Sequence, residues 1–469
     1  MSTPVAPATL ILEGCAVVTM DGRGSEYASG HVVVTGNVIT AIGPGSAPPG
    51  ALASMPGADP ANSGIVRRID ASGCLATPGL INTHHHLYQW GTRGMAADAT
   101  LFEWLTELYP VWAWMDAGLI RPLATAALAW LARSGCSTTM DHHYVFPRTG
   151  GDLLGATIAA AQQVGLRFHP TRGSMDLGAS SGGLPPDDAV EDRDSILLAS
   201  KAAIDRFHDD SPDSMLRIGL APCSPFSVTS ELLTEAAELA RSAGVRLHTH
   251  LVETADESEY CAEHFGCTPV EYLDSLHWLG DDVWLAHGVH LDDAAIARLA
   301  ATGTGVAHCP SSNGRLGAGT CRTHDLVAAG VRVGLGVDGA ASSEESSLIG
   351  EVRQATLTAR AAGGPRALSV RGALELATMG GARLLGRDQE IGSLETGKLA
   401  DVALWRLDTL AHAGIADPVA ALVLGARPPL ELLLVNGKTI VERDQLVNVD
   451  ERAVAANSRR ASAALAGQP

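Results

Sequence analysis

The chain of 469 residues predicts an α/β fold, a (β/α)8 TIM-like barrel with a small β-sandwich domain formed by the N- and C-terminal segments. Eight short apolar runs alternate with helical patterns rich in alanine and leucine, and each run ends in polar residues. Both flanks instead contain strand-like runs separated by turn residues. Strands that alternate with helices indicate parallel β-α units, and eight such units fit a closed barrel.

The apolar runs cover the middle of the chain. They are Cys74–His86, Gly135–His143, Leu166–Arg172, Leu216–Ser224, Val245–Glu253, Val283–His290, Gly305–Asn313 and Val331–Asp338. The rival fold is an open doubly wound sheet, but the glycine-rich phosphate loop expected after its first strand is missing. In a barrel, catalytic groups lie at the carboxyl ends of the strands, which is where the polar residues of these runs fall.

The flanks predict a second domain made from both ends of the chain. Residues 9–74 contain four short apolar runs with turn residues between them, and Asn436-Gly437 between two apolar runs is typical of a hairpin. Residues 44–63, rich in glycine, proline, alanine and serine, predict a loop, and the tail from Val454 predicts a surface helix. The boundaries we expect are 1–77 and 390–469 for the β domain and 78–389 for the inserted barrel.

Composition and charge exclude several classes of protein. The formal charge of −19 argues against a nucleic acid or an anionic membrane as partner. The sequence has no run of about 18 apolar residues, which a membrane span would need, and no basic region followed by an apolar core, as in a signal peptide. Eight cysteines without paired spacing fit reduced thiols, so the sequence predicts a cytoplasmic protein.

A set of histidines predicts a metal site. Side chains two positions apart on a strand point to the same side, so His84 and His86 can bind one cation. The fifth run offers His248 and His250; we choose His250, nearer the strand end, and expect His248 to be buried one layer below. Asp338 ends the eighth run, which adjoins the first in a closed barrel. Three histidines and one carboxylate suit Zn²⁺, with Fe²⁺ as the alternative.

The number of metal ions and the catalytic residues follow from the same runs. A two-metal site would need a further bridging ligand, commonly a lysine from the fourth strand, and that run has none, so we expect one ion. Glu253 lies just past the strand end, where it can reach a substrate without binding the metal. His287 ends the sixth run and can bond a substrate oxygen or the attacking water. The other histidines of these strands are expected to be structural: His142, His143, His290 and His308.

Candidate substrate-binding residues lie at or after the ends of the first four runs. Trp112 belongs to a cluster of tryptophans that can stack on a planar ring or pack as a helix or subunit interface. Gln89 carries an amide that can both donate to and accept from the edge of a planar ring. Arg172 can donate to a carbonyl group or form a surface or interface salt bridge, and Tyr144 is a further candidate. Cys223 follows the proline that ends the fourth run.

Taken together, the motifs resemble the amidohydrolase superfamily, and within it the aminohydrolases that act on heterocycles. The resemblance covers nearly the whole chain. It rests on Pro78-Gly79, His84-x-His86-x-x-Gln89, His250-x-x-Glu253, His287-x-x-His290, the segment 308–313, Val337-Asp338-Gly339 and the segment 392–401. It implies one metal ion held by His84, His86, His250 and Asp338, with Glu253, His287 and Asp338 in catalysis.

The resemblance also implies a reaction, hydrolytic deamination of a purine-like small molecule. Asp338 would accept the proton of the attacking water, Glu253 would protonate a ring nitrogen, and His287 would stabilise the attacking oxygen. Guanine-acting relatives tend to carry an arginine where this chain has Cys223. Because a cysteine leaves room for an oxygen on C8, we expect 8-oxoguanine to be converted to urate and ammonia.

Other functions stay open at this stage. The same site could deaminate guanine or a pterin, remove an alkylamine from a triazine, or open a cyclic amide. A binding protein on an inactive scaffold would lack several ligands, whereas this chain retains all of those proposed. We also expect a homo-oligomer, with a dimer as the simplest form.

Overall fold

The computed structural model describes residues 8–48 and 66–467, which form a closed barrel of eight parallel strands and a nine-stranded mixed sheet. The predicted fold class is confirmed. The sheet begins with five strands near the N-terminus: β1 (Thr9–Val18), β2 (Glu26–Thr35), β3 (Val38–Pro44), β4 (Val66–Asp70) and β5 (Cys74–Pro78). The barrel strands follow: β6 (Leu80–Asn82), β7 (Cys136–His143), β8 (Arg167–Ser174), β9 (Gly219–Pro222), β10 (Leu247–Leu251), β11 (Val283–His287), β12 (Gly305–His308) and β13 (Val333–Leu335).

The C-terminal segment completes the sheet with four strands. They are β14 (Val402–Arg406), β15 (Leu430–Val435), β16 (Lys438–Glu442) and β17 (Gln445–Leu446). Its strand order is β17-β16-β15-β14-β5-β1-β2-β3, with β4 paired to β1. Although β2–β3 and β15–β16 stand far apart in this order, their turns touch, since Asn37 Nδ2 donates to Asn436 Oδ1 at 3.3 Å. The sheet is therefore folded over its own apolar core.

Helices cover the outside of the barrel and pack between its strands and the sheet. They are α1 (Leu101–Trp112), α2 (Ala117–Arg133), α3 (Leu153–Val164), α4 (Arg193–Phe207), α5 (Ser230–Ser242), α6 (Ala255–Phe265), α7 (Pro269–Ser275), α8 (Asp293–Thr302), α9 (Pro310–Arg315), α10 (Thr323–Ala328), α11 (Leu348–Gly363), α12 (Val370–Glu375), α13 (Gly381–Leu384), α14 (Pro418–Leu424) and α15 (Glu451–Ala466). Two short 3₁₀ segments, Leu87–Thr92 and Ala179–Ser181, and a π-helical turn, Leu376–Gly380, complete the description. The tail helix predicted from Val454 is α15.

The first predicted run is two strands rather than one. β5 pairs antiparallel with β14 in the sheet, whereas β6 pairs with β7 and β13 in the barrel. The chain passes between them at Gly79, where a Cβ atom would lie 2.5 Å from the Cβ of Ser137. A residue without a side chain is therefore needed at this crossing.

Two further predictions concern turns. The hairpin at Asn436-Gly437 is confirmed, because Val435 pairs with Lys438 and both turn residues have positive φ, +50° and +75°. Of the predicted loop 44–63, the structure describes residues up to 48, and the rest lies outside the described residues. The domain boundaries stay predictions. In the described part of the chain, every helix is too short or too polar to span a bilayer.

Candidate metal centre and active site

Polar side chains meet at the carboxyl end of the barrel. They follow or end their strands, as the fold predicts. His84 and His86 lie just after β6, Tyr144 after β7, Cys223 after β9, His250 in β10, His287 at the end of β11 and Asp338 after β13. The backbone continues the barrel register beyond β6 and β13, because the amide of Asp338 donates to the carbonyl of His84 at 3.1 Å. This contact brings the first and last ligand segments together.

The ligand atoms of the four predicted metal-binding residues lie close together. His86 Nε2 lies 3.1 Å from His250 Nε2. Asp338 Oδ1 lies 3.3 Å from both His84 Nε2 and His86 Nε2. Ligand atoms around a tetrahedral ion with bonds of about 2.0–2.1 Å are about 3.3 Å apart. The spacing therefore fits one small divalent ion.

Hydrogen bonds at the other ring nitrogens fix the tautomers of these histidines. His86 Nδ1 lies 2.6 Å from the carbonyl oxygen of His142, and His250 Nδ1 lies 2.7 Å from that of Cys223. A carbonyl oxygen only accepts, so each Nδ1 carries the proton and each Nε2 presents a lone pair. Burial lowers the pKa of His84, His86 and His250, which favours the neutral, ligating form.

The resulting arrangement calls for a cation. Two proton-free Nε2 atoms 3.1 Å apart cannot bond each other, and the nearby Asp338 carboxylate adds negative charge. His84 Nε2 is also buried without a hydrogen-bond partner among the described residues. An ion between these atoms would satisfy them all, so the residues fit a divalent metal.

His142 also lies close to this cluster, since one nitrogen from each of His84, His86, His142 and His250 falls within 4.8 Å of the others. Its Nε2, however, donates to the carbonyl oxygen of Ala221 at 2.9 Å. Its ring stacks on that of His250 with centroids 4.6 Å apart. These contacts agree with the structural role expected for His142.

Glu253, His287 and Asp338 form a second polar group beside the proposed ion. His287 Nε2 lies 3.5 Å from Glu253 Oε2 and 3.9 Å from Asp338 Oδ2. His287 Nδ1 donates to the side-chain oxygen of Asn313 at 2.9 Å, which leaves Nε2 directed at the two carboxylates. A reacting water and substrate would lie between these groups.

Burial and neighbouring charge tune this group for proton transfer. Burial raises the pKa of Glu253 to about 7, so that a large share of its carboxyl can hold a proton near neutral pH. Burial opposes the charged form of His287, but the carboxylates of Glu253 and Asp338 outweigh it and raise the pKa of His287. A carboxyl group and an imidazole that can each hold a proton near neutral pH thus lie side by side.

The backbone is strained where these side chains emerge. Val252, His287 and Asp338 have φ of +56°, +75° and +59°. This region is unfavourable for residues other than glycine, and most of all for a β-branched residue such as Val252. Such strain concentrates at sites where geometry matters for function.

A small cavity of about 30 Å³ lies over this centre. Its lining adds residues from helix α1 and from the loops after β9, β12 and β13. The lining comprises His86, Gln89, Leu101, Trp104, Leu105, Tyr109, Tyr144, Cys223, Ser224, Phe226, His250, Glu253, His287, Leu316, Asp338 and Ser342. A volume of this size holds about one water. A planar ring can therefore enter only when lining side chains move.

The structure brings three of the five predicted substrate-binding residues to this cavity. Gln89, Tyr144 and Cys223 line it, in agreement with the sequence. Gln89 comes from the 3₁₀ segment after the histidine ligands, and its Oε1 is buried without a partner among the described residues. It is therefore available to a ligand.

Arg172 and Trp112 do not line this cavity, and their contacts match the alternatives that the sequence left open, a salt bridge and packing against a helix. Arg172 points out of the barrel, where its Nη2 bonds both carboxylate oxygens of Glu191 at 2.7 and 2.8 Å and its guanidinium stacks 3.6 Å from the Phe146 ring centre. It lines a separate surface groove. Trp112 is fully buried behind the cavity and donates to Thr92 Oγ1 at 3.1 Å.

Several site residues escaped the sequence prediction. Tyr109 and Phe226 line the cavity, Asn313 holds His287, and Ser342 Oγ lies 3.3 Å from Asp338 Oδ2. Glu257 accepts hydrogen bonds from the backbone around Glu253. Asn313 lies in the segment 308–313, which carries part of the family resemblance, so the sequence did point to it. The positions of the other residues depend on how their loops fold, which the sequence does not show.

The fold and the site define a class. The chain belongs to the amidohydrolase family, which matches residues 75–440, and it is a hydrolase that acts on carbon–nitrogen bonds. It is 43% identical over 459 residues to an 8-oxoguanine deaminase from Pseudomonas aeruginosa, an alignment that covers 97% of this chain and 99% of that protein. It is 37% identical over 481 residues to an isoxanthopterin deaminase from an unknown prokaryotic organism, with 97% and 96% covered.

Solved structures give the same picture. An atrazine chlorohydrolase from Arthrobacter aurescens complexed with zinc superposes with a TM-score of 0.89 at 34% identity, covering 97% of this chain and all of that one. An adenosine deaminase from Xanthomonas campestris with bound zinc superposes with a TM-score of 0.85 at 26% identity, covering 99% of this chain and all of that one.

Proposed function

We propose that this protein is a metal-dependent deaminase that converts 8-oxoguanine and water to urate and ammonia. The observation that carries the proposal is the meeting of proton-free imidazole nitrogens with the group Glu253, His287 and Asp338 at one end of the barrel. The 43% identity to an 8-oxoguanine deaminase across nearly both full lengths supports the choice of substrate.

The residues proposed to hold the ion are His84, His86, His250 and Asp338. A divalent metal bound there would act as a Lewis acid and make water a stronger nucleophile near neutral pH. Zinc is the ion we propose, because nitrogen-rich sites suit it and a structural neighbour is complexed with zinc. We expect one ion per chain by elemental analysis, and two ions per active chain would contradict this.

The chain's own residues account for the proton transfers. Asp338 accepts a proton from the attacking water, whose oxygen bonds to the ring carbon that bears the amino group. Glu253 donates a proton to the adjacent ring nitrogen, and its raised pKa suits this task. His287 donates from Nε2 to the attacking oxygen. Asp338 passes its proton to the amino group, the carbon–amino bond breaks and ammonia leaves, while the hydroxyl proton of the intermediate returns to Glu253 as the carbonyl forms.

Cys223 supports an oxidised purine over guanine. It is buried beside the cavity, and its small, uncharged side chain leaves room for an oxygen on C8. An arginine in its place would present a donor to the N7 edge, which carries a hydrogen in 8-oxoguanine. We therefore expect Cys223→Arg to weaken the preference for 8-oxoguanine, and Cys223→Ser, which keeps the size, to preserve it.

The deciding experiment is an ammonia-release assay over guanine, 8-oxoguanine, isoxanthopterin, cytosine, adenosine and hydroxytriazines. We expect kcat/KM for 8-oxoguanine to exceed that for guanine at least tenfold, with urate as product. The Glu253→Gln protein, purified in parallel, controls for contaminating deaminases. Equal or better turnover of guanine would refute the substrate assignment and leave the deaminase chemistry intact.

The second candidate substrate is isoxanthopterin, favoured by the 37% identity to an isoxanthopterin deaminase. Like 8-oxoguanine, it carries an amino group on a pyrimidine ring and a ring amide on the other ring. The same assay separates the two. The cytoplasmic location and the homodimer stay predictions.

A further inference from the structure

Helix α1 supplies the wall of the cavity that completes the site. Leu101, Trp104, Leu105 and Tyr109 line the cavity from this helix. The helix is held in place, because the indole nitrogen of Trp104 donates to the carbonyl oxygen of Ala341 at 3.2 Å, in the loop after Asp338. That contact uses the only side-chain N–H that Trp104 has.

Tyr109 differs from the other α1 residues of this wall. Its side chain is 1% exposed, and its hydroxyl is buried without a hydrogen-bond partner among the described residues. The hydroxyl lies beside the Cys223 thiol, and its ring packs edge-on against Trp112 with centroids 5.7 Å apart. A buried polar group without a partner is unfavourable, so a ligand atom that pairs with it gains affinity and selectivity.

The two serine hydroxyl groups of the cavity wall already have partners. Ser224 Oγ lies 2.7 Å from Ser227 Oγ, and Ser342 Oγ lies 2.9 Å from Ser312 Oγ. Among the described lining residues, the buried side-chain atoms that lack a partner are Tyr109 Oη and Gln89 Oε1. The neighbour of the Tyr109 hydroxyl is the Cys223 thiol, a weak acceptor, so Tyr109 can give its hydrogen bond to a stronger acceptor on a ligand.

The orientation that the reaction requires of the substrate decides which of its atoms the Tyr109 hydroxyl can reach. The carbon that bears the amino group must face Glu253, His287 and Asp338. The other end of a bicyclic ring system then lies against another part of the cavity wall, which includes Tyr109 and Cys223. In 8-oxoguanine that end carries the C8 carbonyl oxygen, which guanine lacks.

We propose that Tyr109 is a specificity-determining residue whose hydroxyl donates a hydrogen bond to the ring-amide oxygen of the substrate, C8=O in 8-oxoguanine. This inference rests on the proposed function and adds a recognition residue to it. Cys223 provides the space and Tyr109 provides the bond. A purine without the C8 oxygen leaves the Tyr109 hydroxyl unpaired, which lowers its affinity.

The test uses Tyr109→Phe in the metal-loaded enzyme, because phenylalanine keeps the ring packing and removes the hydroxyl. We expect kcat/KM for 8-oxoguanine to fall about 10–100-fold, mainly through KM, and kcat/KM for guanine to change less than about threefold. The matched control is Tyr272→Phe, because Tyr272 is also buried with an unpaired hydroxyl but lies in α7, outside the cavity wall. The control should leave kcat/KM unchanged for both substrates.

A binding measurement separates this inference from the proposed function. Calorimetry with urate and with xanthine compares ligands that differ in the C8 oxygen and carry no amino group to hydrolyse. Wild type should bind urate at least about tenfold more tightly than xanthine, and Tyr109→Phe should remove that difference.

The outcomes are distinct. Wild type without activity on 8-oxoguanine refutes the proposed function, whatever Tyr109 does. Equal losses on both purines, no loss on either, or equal affinity of wild type for urate and xanthine overturns the role of Tyr109. A Tyr109→Phe protein that fails to fold leaves the urate–xanthine comparison on wild type to decide.

Discussion

His248 Nε2 lies 2.8 Å from His84 Nδ1, and this contact sets the proton positions of both rings. His248 Nδ1 in turn lies 2.8 Å from the carbonyl oxygen of Trp284, which only accepts. His248 therefore carries its proton on Nδ1 and accepts from His84 through Nε2. His84 is left with a proton-free Nε2 that faces Asp338. A histidine one layer below the proposed ion thus prepares one of its ligands.

The first prediction concerns this pair. His248→Asn should keep one ion per chain at saturating metal but lower metal affinity about 10–100-fold, because His84 loses its orienting acceptor. Competition with a chelator of known affinity measures the change. His250→Asn is the comparison, since loss of a direct ligand should remove the ion. Loss of the ion in His248→Asn with retention in His250→Asn would reverse the assignment of the ligand on β10.

Much of the site could be predicted because its residues occur in short sequence motifs at the ends of predicted strands. The spacing of His84 and His86 and the order of polar residues at strand ends both follow from the barrel, whatever the exact strand bounds. The exact ends of the strands were harder to predict. The run 74–86 looks continuous in sequence, yet it joins two sheets at Pro78-Gly79 through packing against a distant strand.

The placement of Arg172 and Trp112 outside the cavity lining has a geometrical cause. Alternate residues of a strand face opposite sides, so the outward direction of Arg172 depends on a register that one sequence does not reveal. Glu191, which pairs with Arg172, lies in a long loop without a sequence signal. Trp112 and Tyr109 belong to one helix, and the choice of which aromatic ring faces the cavity depends on how α1 docks.

The second prediction concerns Glu253. Glu253→Gln should lower kcat about 10²–10⁴-fold with unchanged metal content and melting temperature, because an amide keeps the shape but cannot donate the proton. Steady-state kinetics and elemental analysis on the same preparation measure both properties. Glu263→Gln, an exposed position in α6, serves as the control. A Glu253→Gln enzyme with most of its activity would show that the proton takes another path.

The third prediction concerns Glu257, which braces the strained backbone beside Glu253. Its carboxylate accepts from the amides of Val252 at 2.8 Å and Glu253 at 3.3 Å, and Val252 has a φ of +56°. Glu257→Gln loses one acceptor, so Glu253 should shift and kcat should fall about tenfold with little change in KM.

A second substitution distinguishes this positioning role from general damage. Glycine adopts positive φ without strain, so adding Val252→Gly to Glu257→Gln should recover part of the lost kcat. Metal content should stay constant throughout. If the loss of kcat in the double variant equals the combined losses of the two single variants, Glu257 does not act on Glu253 by relieving backbone strain.

The fourth prediction concerns stability and pH, through a carboxyl outside the proposed metal ligands. Glu351 in α11 is 1% exposed and accepts from the amide of Ser311 at 3.1 Å, which ties α11 to α9. Burial raises the pKa of Glu351 from 4.5 to about 8. Between these values the unfolded chain has released this proton and the folded chain still holds it. The Glu351 contribution to the free energy of unfolding therefore falls as pH rises from about 4.5 to about 8.

Glu351→Gln removes that dependence, because an amide stays neutral in both states. Relative to wild type, the variant should gain stability between pH 5 and pH 9, on the order of 4 kcal/mol at about 1.4 kcal/mol per pKa unit. Any loss from the altered hydrogen bond is present at both pH values and cancels in this comparison. Denaturant unfolding at the two pH values, with equal metal loading, measures the change. Glu238→Gln, at an exposed position in α5, is the control. If the Glu351→Gln and wild-type stabilities run parallel across this range, Glu351 is ionised in the folded protein and its negative charge is compensated within the core.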